Sequence, residues 1–281
     1  MNRKRFSLVK TIGFKSCLDV VDIGANPIDG EAPYKRLLDS GHALVVGFEP
    51  NPDAMKILNE KKGRNETYLP YAVFDGNVHQ FRVCQSPGMS SLLEPDRDIL
   101  RYFHGFPDWG TVNERREIKT VRLDDIKEIK SIDYLKIDIQ GGELEVFRNG
   151  VGQLANCLVI HAEVEFLPMY ENQPLFSEVE IFLRGQGFLF HRFAPLASRA
   201  VQPMLVDNDI HKGLGQIFWA DAVFIRDFTK LDALSPLRLK KMALILHDIY
   251  GSCDLALRCL MACDGKMQNG LAEKYMKALS D

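Results

Sequence analysis

Short apolar runs alternate with segments of helical spacing through the first two thirds of the chain. Such runs occupy Cys17 to Ile23, Ala43 to Phe48, Ile132 to Ile139 and Cys157 to Val164. Near-continuous apolar positions are typical of strands that are buried on both faces of a parallel sheet. The pattern therefore predicts an α/β fold, in which a mostly parallel sheet carries helices on both faces.

Further strands and helices are predicted between and after these runs. The strands are Tyr68 to Val73, Val78 to Cys84, Phe188 to Phe193 and Gln216 to Phe228. The helices are Pro33 to Ser40, Pro52 to Lys62, Glu143 to Asn149 and Phe176 to Gly185.

The segment from Ser86 to Glu117 is rich in proline and glycine and lacks a clear period. It predicts a mobile, partly helical insertion near the functional site. Its aromatic residues Phe103, Phe106 and Trp109 could close over a ligand as a lid. We favour the simpler interpretation that they form apolar core beneath a loop.

From Leu234 the pattern changes to leucine, methionine and alanine at helical spacing, with breaks at Gly251 and between Gly265 and Gly270. Two or three helices are predicted there, so the chain divides into an α/β domain at 1–233 and a helical appendage at 234–281. These helices carry more apolar surface than they can bury against one another. They pack either on the chain's own sheet or in a homodimer contact.

Composition excludes several classes of function. The 281 residues include 35 basic and 38 acidic ones, giving a net charge of -3, and the two signs are mixed along the chain, so no basic field is offered to nucleic acid. No signal peptide and no membrane-spanning run is predicted. The six cysteines lack a CxxC pair and the histidines lack ligand spacing, which indicates a reducing cytoplasm and no metal site.

The strongest local signal lies at the ends of the first two strands. Asp22-Ile23-Gly24-Ala25-Asn26 ends the first strand, and Phe48-Glu49-Pro50-Asn51 ends the second. Ligands of doubly wound sheets bind at these strand ends, where a glycine allows close backbone approach and an acid can accept ribose hydroxyls. We expect Asp22 and Glu49 to face a nucleotide-type cofactor.

The same loop indicates which cofactor is bound. A dinucleotide fingerprint would be G-x-G-x-x-G, but the segment from Gly24 to Asp29 (GANPID) lacks the second and third glycines. A pyrophosphate would therefore be held poorly. A phosphate-free nucleoside with a charged amino acid end fits better, and S-adenosylmethionine is such a molecule.

A second group of polar residues follows the strand near residue 135. Strand alternation places Lys136, Asp138 and Gln140 on one face, where burial is costly unless the groups are paired or functional. The alternative is structural, with Lys136 and Asp138 as an ion pair and Glu143 complementing a helix N-terminus. On the next strand Glu163 shares a face with His161 and Glu165, either in an acceptor pocket or as a polar stripe at a sheet edge.

At this point the sequence resembles the FkbM-type methyltransferases. The matching motifs, in the family's order, are DIGAN (from Asp22), FEPNP (from Phe48), YAVFDG (from Tyr71), RLDDI (from Arg122), DYLKIDIQGGELEVFRNG (from Asp133), HAEVEFLPMY (from His161) and a later GF at Gly187. The resemblance covers roughly Val20 to Phe228. It implies a seven-stranded Rossmann-like sheet, S-adenosylmethionine as methyl donor and a hydroxyl of a small molecule or glycan as acceptor.

The chain departs from the family pattern in the first motif. The family places a second glycine shortly after the asparagine, whereas here Pro27 and Ile28 follow, Gly30 is displaced and the loop extends to about Ala32. The methionine end of the cofactor could therefore be held differently. The C-terminal helices lie outside the resemblance.

These observations assign hypothetical roles. Asp138 is the candidate base, and Lys136, Glu143 and Glu163 orient the acceptor or tune that carboxylate. The expected cofactor contacts come from Asp22, Gly24, Asn26, Glu49, Asn51 and Ala72. Two other functions are considered, a nicotinamide-dependent oxidoreductase and a non-catalytic nucleotide-binding module of the same fold.

Overall fold

The computed structural model describes residues 6–26 and 30–280. Its strands are β1 (Leu18–Ile23), β2 (Ala43–Phe48), β3 (Glu66–Leu69), β4 (Ala72–Phe74), β5 (Val78–Cys84), β6 (Val112–Arg122), β7 (Tyr134–Ile137), β8 (Val159–Glu165), β9 (Phe188–Ser198) and β10 (Ile217–Arg226). Its α-helices are α1 (Leu8–Ile12), α2 (Lys35–Asp39), α3 (Pro52–Lys61), α4 (Arg97–Leu100), α5 (Phe106–Trp109), α6 (Glu143–Arg148), α7 (Val151–Leu154), α8 (Phe176–Gly185), α9 (Pro236–Leu244), α10 (Cys253–Met267) and α11 (Leu271–Ser280).

Seven strands form the main sheet, in the order β3-β2-β1-β7-β8-β10-β9. The pairs from β3 to β8 are parallel, whereas β10 runs antiparallel to both β8 and β9. This topology confirms the predicted α/β class and the mostly parallel seven-stranded sheet. Because parallel strands share one direction, the residues after β1, β2, β7 and β8 meet at the same edge.

Both faces of the main sheet are covered by apolar side chains, as the continuous runs predict. On one face Val21, Ile23 and Ile137 pack with residues of α6 and α8. On the other face Val20 and Val159 pack with residues of α2 and the C-terminal helices. The sheet is thus the middle of three layers, and the polar groups at its carboxyl edge lie between two apolar cores.

The C-terminal helices form part of one covering layer. Leu239, Met242 and Leu260 are fully buried in the same cluster as the sheet residues Val20 and Val223. The chain's own sheet therefore covers much of the apolar surface that the tail pattern predicts, whereas Leu237 and Met261 stay about half exposed. The domain boundary at residue 234 and a homodimer contact stay predictions, and light scattering of the full chain measures the second.

A buried lysine ties the tail to the sheet. Lys241 of α9 lies 2.5 Å from Asp133 and 3.2 Å from Asp19, and Asp133 also accepts the backbone N–H of Asp19. Replacing Lys241 with methionine is expected to lower the free energy of unfolding by about 3–5 kcal/mol, because it leaves the buried Asp133 carboxylate unpaired. Urea titration measures this loss.

The matched control is Lys240→Met on the same helix, since Lys240 makes no ion pair among the described residues. It should change the free energy of unfolding by less than about 0.5 kcal/mol. Equal losses in the two variants would show that the Lys241 ion pairs do not hold the tail to the sheet.

Two predicted boundaries were wrong. The predicted strand from Tyr68 to Val73 is two strands, since β3 closes the edge of the main sheet and β4 joins the smaller sheet β4-β6-β5. Pro70 lies between them and has no backbone N–H for a ladder. The predicted insertion from Ser86 to Glu117 also ends early, because Val112 already begins β6.

The rest of that insertion is partly helical, as predicted, and its mobility stays a prediction. It contains the short helices α4 and α5 and a 3₁₀ turn at Pro87–Met89. Phe103 and Phe106 are buried against Phe218 of β10, which confirms the interpretation of the aromatic residues as core. None of the helices in the described part of the chain combines the length and the apolar character needed to cross a membrane.

Candidate active site

A cavity opens at the carboxyl edge of the sheet, beyond the ends of β1, β2 and β7. It holds about 890 Å³ of space, its open mouth included. The residues on its wall include six that were expected from the sequence: Gly24, Asn26, Glu49, Asn51, Ala72 and Asp138. Apolar wall comes from Ile23, Phe48, Tyr71, Val73, Phe81 and Leu92. The cavity is therefore an apolar slot with carboxylates at two places, Glu49 and Asp138.

Gly24 sets the spacing between two strand ends. Its φ is +77°, and a Cβ placed there would lie 1.9 Å from the carbonyl oxygen of Asp138. Its backbone N–H donates to the carbonyl of Phe48 at 2.9 Å. A side chain at this position would push the ends of β1 and β7 apart, so only glycine maintains this arrangement.

Replacing Gly24 with alanine is expected to lower the free energy of unfolding by about 2–4 kcal/mol, from left-handed strain and from the clash with Asp138. Thermal or urea unfolding measures it. Gly41 is the matched control, since it has the same φ of +77° with nothing within 4 Å of its Cβ position. Gly41→Ala should lose only about 1–2 kcal/mol. Equal losses in the two variants would contradict a specific role for close strand approach.

Glu49 is a buried carboxylate at one end of the cavity. One of its oxygens, Oε1, accepts the backbone N–H of Asn51 at 2.7 Å. Burial raises the pKa of Glu49 to about 7, the Asn51 N–H lowers it, and the charge of Asp22 raises it further. The carboxylate is thus poorly solvated, and a ligand that donates hydrogen bonds to it would favour its charged form.

Asn51 lines the cavity but its side chain also has a structural role. It is the N-cap of α3, and its Oδ1 accepts the N–H groups of Asp53 and Ala54. This cap fixes the turn after β2 that carries Glu49.

Asp138 stands at the end of β7 beside three other buried carboxyl groups. Its Oδ1 accepts from the side-chain amide of Gln140 at 2.9 Å, and the same amide nitrogen donates to Glu163 at 2.7 Å. Carboxylate oxygens of Asp138, Glu143 and Glu163 lie within 4.8 Å of one another. The expectation that no metal binds stays a prediction.

Burial and mutual repulsion disfavour ionisation of the carboxyl groups in this cluster. Burial, and then the charge of Asp138, raise the pKa of Glu163 well above its usual range. Burial likewise raises the pKa of Glu143 to about 7, and that of Glu165 well above normal. These shifts favour the neutral forms of Glu163 and Glu165, which reduces the repulsion of the Asp138 carboxylate.

Glu143 supports the turn rather than the cavity wall. It begins α6, is 2% exposed, and accepts the backbone N–H of Ile139 through Oε1 at 2.8 Å. It thereby fixes the backbone on which Asp138 and Gln140 stand. Neither Glu143 nor Glu163 lines the cavity, so neither is placed to contact a bound ligand directly.

The structure does not bring Asp22 and Lys136 to the cavity. They lie opposite each other in register on β1 and β7, with Lys136 Nζ 3.5 Å from Asp22 Oδ1. Asp22 also accepts the hydroxyl of Tyr34 at 2.5 Å. Burial alone would lower the pKa of Lys136, but carboxylates, above all those of Asp22 and Asp138, raise it. These residues form a charged layer on the face opposite Ile23.

The polar face of β8 continues this layer. His161 lies 3.2 Å from Asp221 of β10 and 3.0 Å from the hydroxyl of Tyr250. Because β8 is a central strand between β7 and β10, its polar side chains are not a stripe at a sheet edge. Paired partners offset the cost of burying them.

Sequence reasoning missed the segment that covers the cavity. This segment contributes Pro87, Gly88, Ser90 and Leu92 to the cavity wall. The hydroxyl of Ser91 donates to the carbonyl of Gln140 at 2.7 Å. The proline and glycine content indicated a loop near the site, but nothing local indicated its contacts. The extended loop after Asn26 falls partly on residues 27–29, which lie outside the described residues.

Comparison with known proteins agrees with this geometry. Residues 22–190 match the model of the family described as methyltransferase FkbM domain. The 2-O-methyltransferase NoeI of Sinorhizobium fredii (strain NBRC 101917 / NGR234) is 26% identical over 189 residues, covering 59% of this chain and 75% of that protein.

Among solved structures, methyltransferase FkbM from Methylobacillus flagellatus KT has a TM-score of 0.42 at 13% identity, covering 79% of this chain and 44% of that one. Magnesium protoporphyrin IX methyltransferase (ChlM) from Synechocystis PCC 6803 with bound SAM has a TM-score of 0.40 at 11% identity, covering 78% and 76%. The family model spans more than half of the chain and includes the ends of β1, β2 and β7. The chain therefore belongs to the FkbM methyltransferase family and is a methyltransferase.

Proposed function

We propose that this methyltransferase uses S-adenosylmethionine to methylate a hydroxyl group of a small molecule or glycan. The observation that carries the proposal is the placement of two carboxylates, Glu49 and Asp138, on the wall of one apolar slot. Glu49 suits a ribose, and Asp138 suits an acceptor hydroxyl that must lose a proton.

The residues of the cavity fit a nucleoside ligand. One oxygen of Glu49 accepts from Asn51, and Oε2 has no hydrogen-bond partner among the described residues, so it can accept ribose hydroxyls. Phe48 and Tyr71 stack at an interplanar angle of 15° beside Ala72, giving an apolar wall for an adenine ring. Gly24 and Asn26 lie on the cavity wall at the end of β1, where the amino acid end of the cofactor would bind.

The same geometry disfavours a dinucleotide. A pyrophosphate is usually held by a helix that begins directly after the glycine turn. Here the first α-helix in the described part after β1 is α2, which begins only at Lys35 and has five residues. Among the described residues, no helix begins directly after the Gly24 turn, as NAD binding would require.

In this proposal Asp138 is the base for methyl transfer. When bound, S-adenosylmethionine supplies a sulfonium methyl group, whose carbon–sulfur bond breaks as the acceptor oxygen takes the methyl. Asp138 accepts the hydroxyl proton, since it is the cavity carboxylate at the end of β7. Gln140 donates a hydrogen bond to that carboxylate, and Glu143 fixes the backbone that follows it. The apolar wall and the segment Pro87–Leu92 exclude water.

The acceptor class rests on two supports. A carboxylate base is needed for a hydroxyl, which must lose its proton during methyl transfer. In addition, the NoeI relative is named as a 2-O-methyltransferase. Together they favour oxygen as the methylated atom.

Calorimetric titration with S-adenosylmethionine and with NAD tests the cofactor. The proposal predicts saturable binding of the first and none of the second at millimolar concentration. Binding of NAD alone would favour the oxidoreductase. Binding of S-adenosylmethionine without transfer to any acceptor would favour a non-catalytic module.

A further inference from the structure

The side chain of Gln140 joins the two carboxyl groups nearest the end of β7. Its amide nitrogen donates to Asp138 Oδ1 at 2.9 Å and to Glu163 Oε2 at 2.7 Å. A primary amide has two N–H donors, so both are used. These bonds draw together two carboxyl groups that would repel each other if both were charged.

A buried tyrosine sets the orientation of that amide. The Tyr170 hydroxyl lies 3.0 Å from Gln140 Oε1 and 3.1 Å from the carbonyl of Met89. Tyr170 is 0% exposed, so water does not compete for the contact. If the amide were flipped, its oxygen would face Asp138 and Glu163 and two donor bonds would be lost. The carboxyl groups thus favour this orientation, and the single hydroxyl proton of Tyr170 stabilises it further when it is donated to Gln140 Oε1 rather than to the Met89 carbonyl.

The backbone of Gln140 is held in an uncommon conformation. Its φ is +60°, a left-handed value that costs a non-glycine residue about 1–2 kcal/mol. The Ser91 hydroxyl, donating to the Gln140 carbonyl at 2.7 Å, and the side-chain bonds keep it there. Such strain persists where the surrounding structure over-determines a position, and it clusters at functional sites.

We propose that Gln140 is a positioning residue that holds the Asp138 carboxylate for catalysis, and that Tyr170 acts through Gln140 by fixing its amide. The inference rests on the proposed role of Asp138 as base. The inference also connects the segment Pro87–Leu92 with Asp138, because Tyr170 contacts Met89 of the 3₁₀ turn in that segment. Neither residue had been selected from the sequence as a site residue.

Two substitutions test separately the contact of Gln140 with Asp138 and the contact of Tyr170 with Gln140. Gln140→Leu keeps the approximate size and removes both donors, and Tyr170→Phe removes only a hydroxyl. We expect kcat to fall by roughly 30- to 300-fold in the first and 5- to 30-fold in the second, at saturating S-adenosylmethionine. The dissociation constant for S-adenosylmethionine measured with Tyr170→Phe should change less than 3-fold, because Tyr170 does not line the cavity.

A double variant tests whether Tyr170 acts through Gln140. If it does, Gln140→Leu/Tyr170→Phe should be no slower than Gln140→Leu, since the hydroxyl then has no amide to orient. If the fold losses in kcat of the two single variants multiply in the double variant, Tyr170 does not act through Gln140. The matched control is Tyr275→Phe, which removes another fully buried hydroxyl, bonded to His247 at 2.8 Å. It should lower stability similarly and leave kcat unchanged.

A second readout requires no acceptor. Carbon-13 NMR follows the titration of the Glu163 carboxyl carbon, assigned by its loss in Glu163→Gln. The other ionisable groups facing Glu163 are Lys136, Asp138, Glu143, Glu165, Tyr170 and its register partner Asp221 on β10. Gln140→Leu should move this titration to higher pH by roughly one unit, because the charged form loses a donor. A purely structural role would lower the melting temperature and leave the titration in place.

The outcomes separate this inference from the proposed function. If Asp138→Asn keeps its activity, the base assignment fails whatever Gln140 does. If Asp138→Asn is inactive while Gln140→Leu keeps both wild-type kcat and the wild-type Glu163 titration, only the positioning role is overturned.

Discussion

The Asp138→Asn variant is expected to fold, to bind S-adenosylmethionine and to lose methyl transfer by about 100- to 10,000-fold, the usual contribution of a positioned base. Asparagine keeps the shape of the side chain but cannot accept the proton of an acceptor hydroxyl. The carbonyl oxygen of Asp138, which lies close to Gly24, is retained because it belongs to the backbone. Single-turnover kinetics at saturating cofactor measures the effect on the chemical step.

The control for this variant is Asp98→Asn, whose side chain is 88% exposed on α4. It should keep full activity and an unchanged melting temperature. If Asp138→Asn retains activity within a few-fold, the carboxylate is structural and the proton is taken by another group.

The second large effect is expected at Glu49. Glu49→Ala should weaken S-adenosylmethionine binding by about 1–3 kcal/mol, because ribose hydroxyls would lose a buried acceptor. This corresponds to roughly 5- to 150-fold in Kd. Calorimetric titration measures it, and Glu60→Ala on the exposed surface of α3 is the matched control. A folded Glu49→Ala variant with unchanged affinity would exclude the ribose role.

Glu49 also predicts how binding depends on pH. Burial raises its pKa to about 7, so much of the free protein carries a proton there at neutral pH. Hydroxyl donors favour the charged form and lower that pKa, so affinity should strengthen as pH rises from 6 to 8. Glu49→Gln should lose this dependence. If the affinity of Glu49→Gln rises with pH in the same way, the pH dependence belongs to another group.

The sequence predicted the strands of the main sheet and the residues at their ends, because each of these is indicated by a short local segment. Continuous apolar runs predicted the buried strands, and Gly24 and Glu49 each follow such a run directly. The carboxyl ends of parallel strands meet at one edge, so both residues were expected near a common ligand. The cavity wall confirms that they lie together.

The roles of the charged residues depended on information that is not local. Asp22 and Ile23 point to opposite faces of β1, and the sequence does not indicate which face lies beside the cavity. The structure pairs Asp22 with Lys136 and Tyr34. Gln140 needs Tyr170 and Glu163 to define its role, and both come from later segments whose contacts only the tertiary structure brings together.

Transfer of an isotopically labelled methyl group tests the central claim most directly. The protein is incubated with S-adenosylmethionine carrying a trideuterated methyl group and with fractionated cell extract, and products are followed by mass spectrometry. With the natural protein we expect a product that carries one labelled methyl group on a hydroxyl oxygen. With Asp138→Asn we expect no such product. A label located on nitrogen or carbon, or equal labelling by Asp138→Asn, would contradict the central claim.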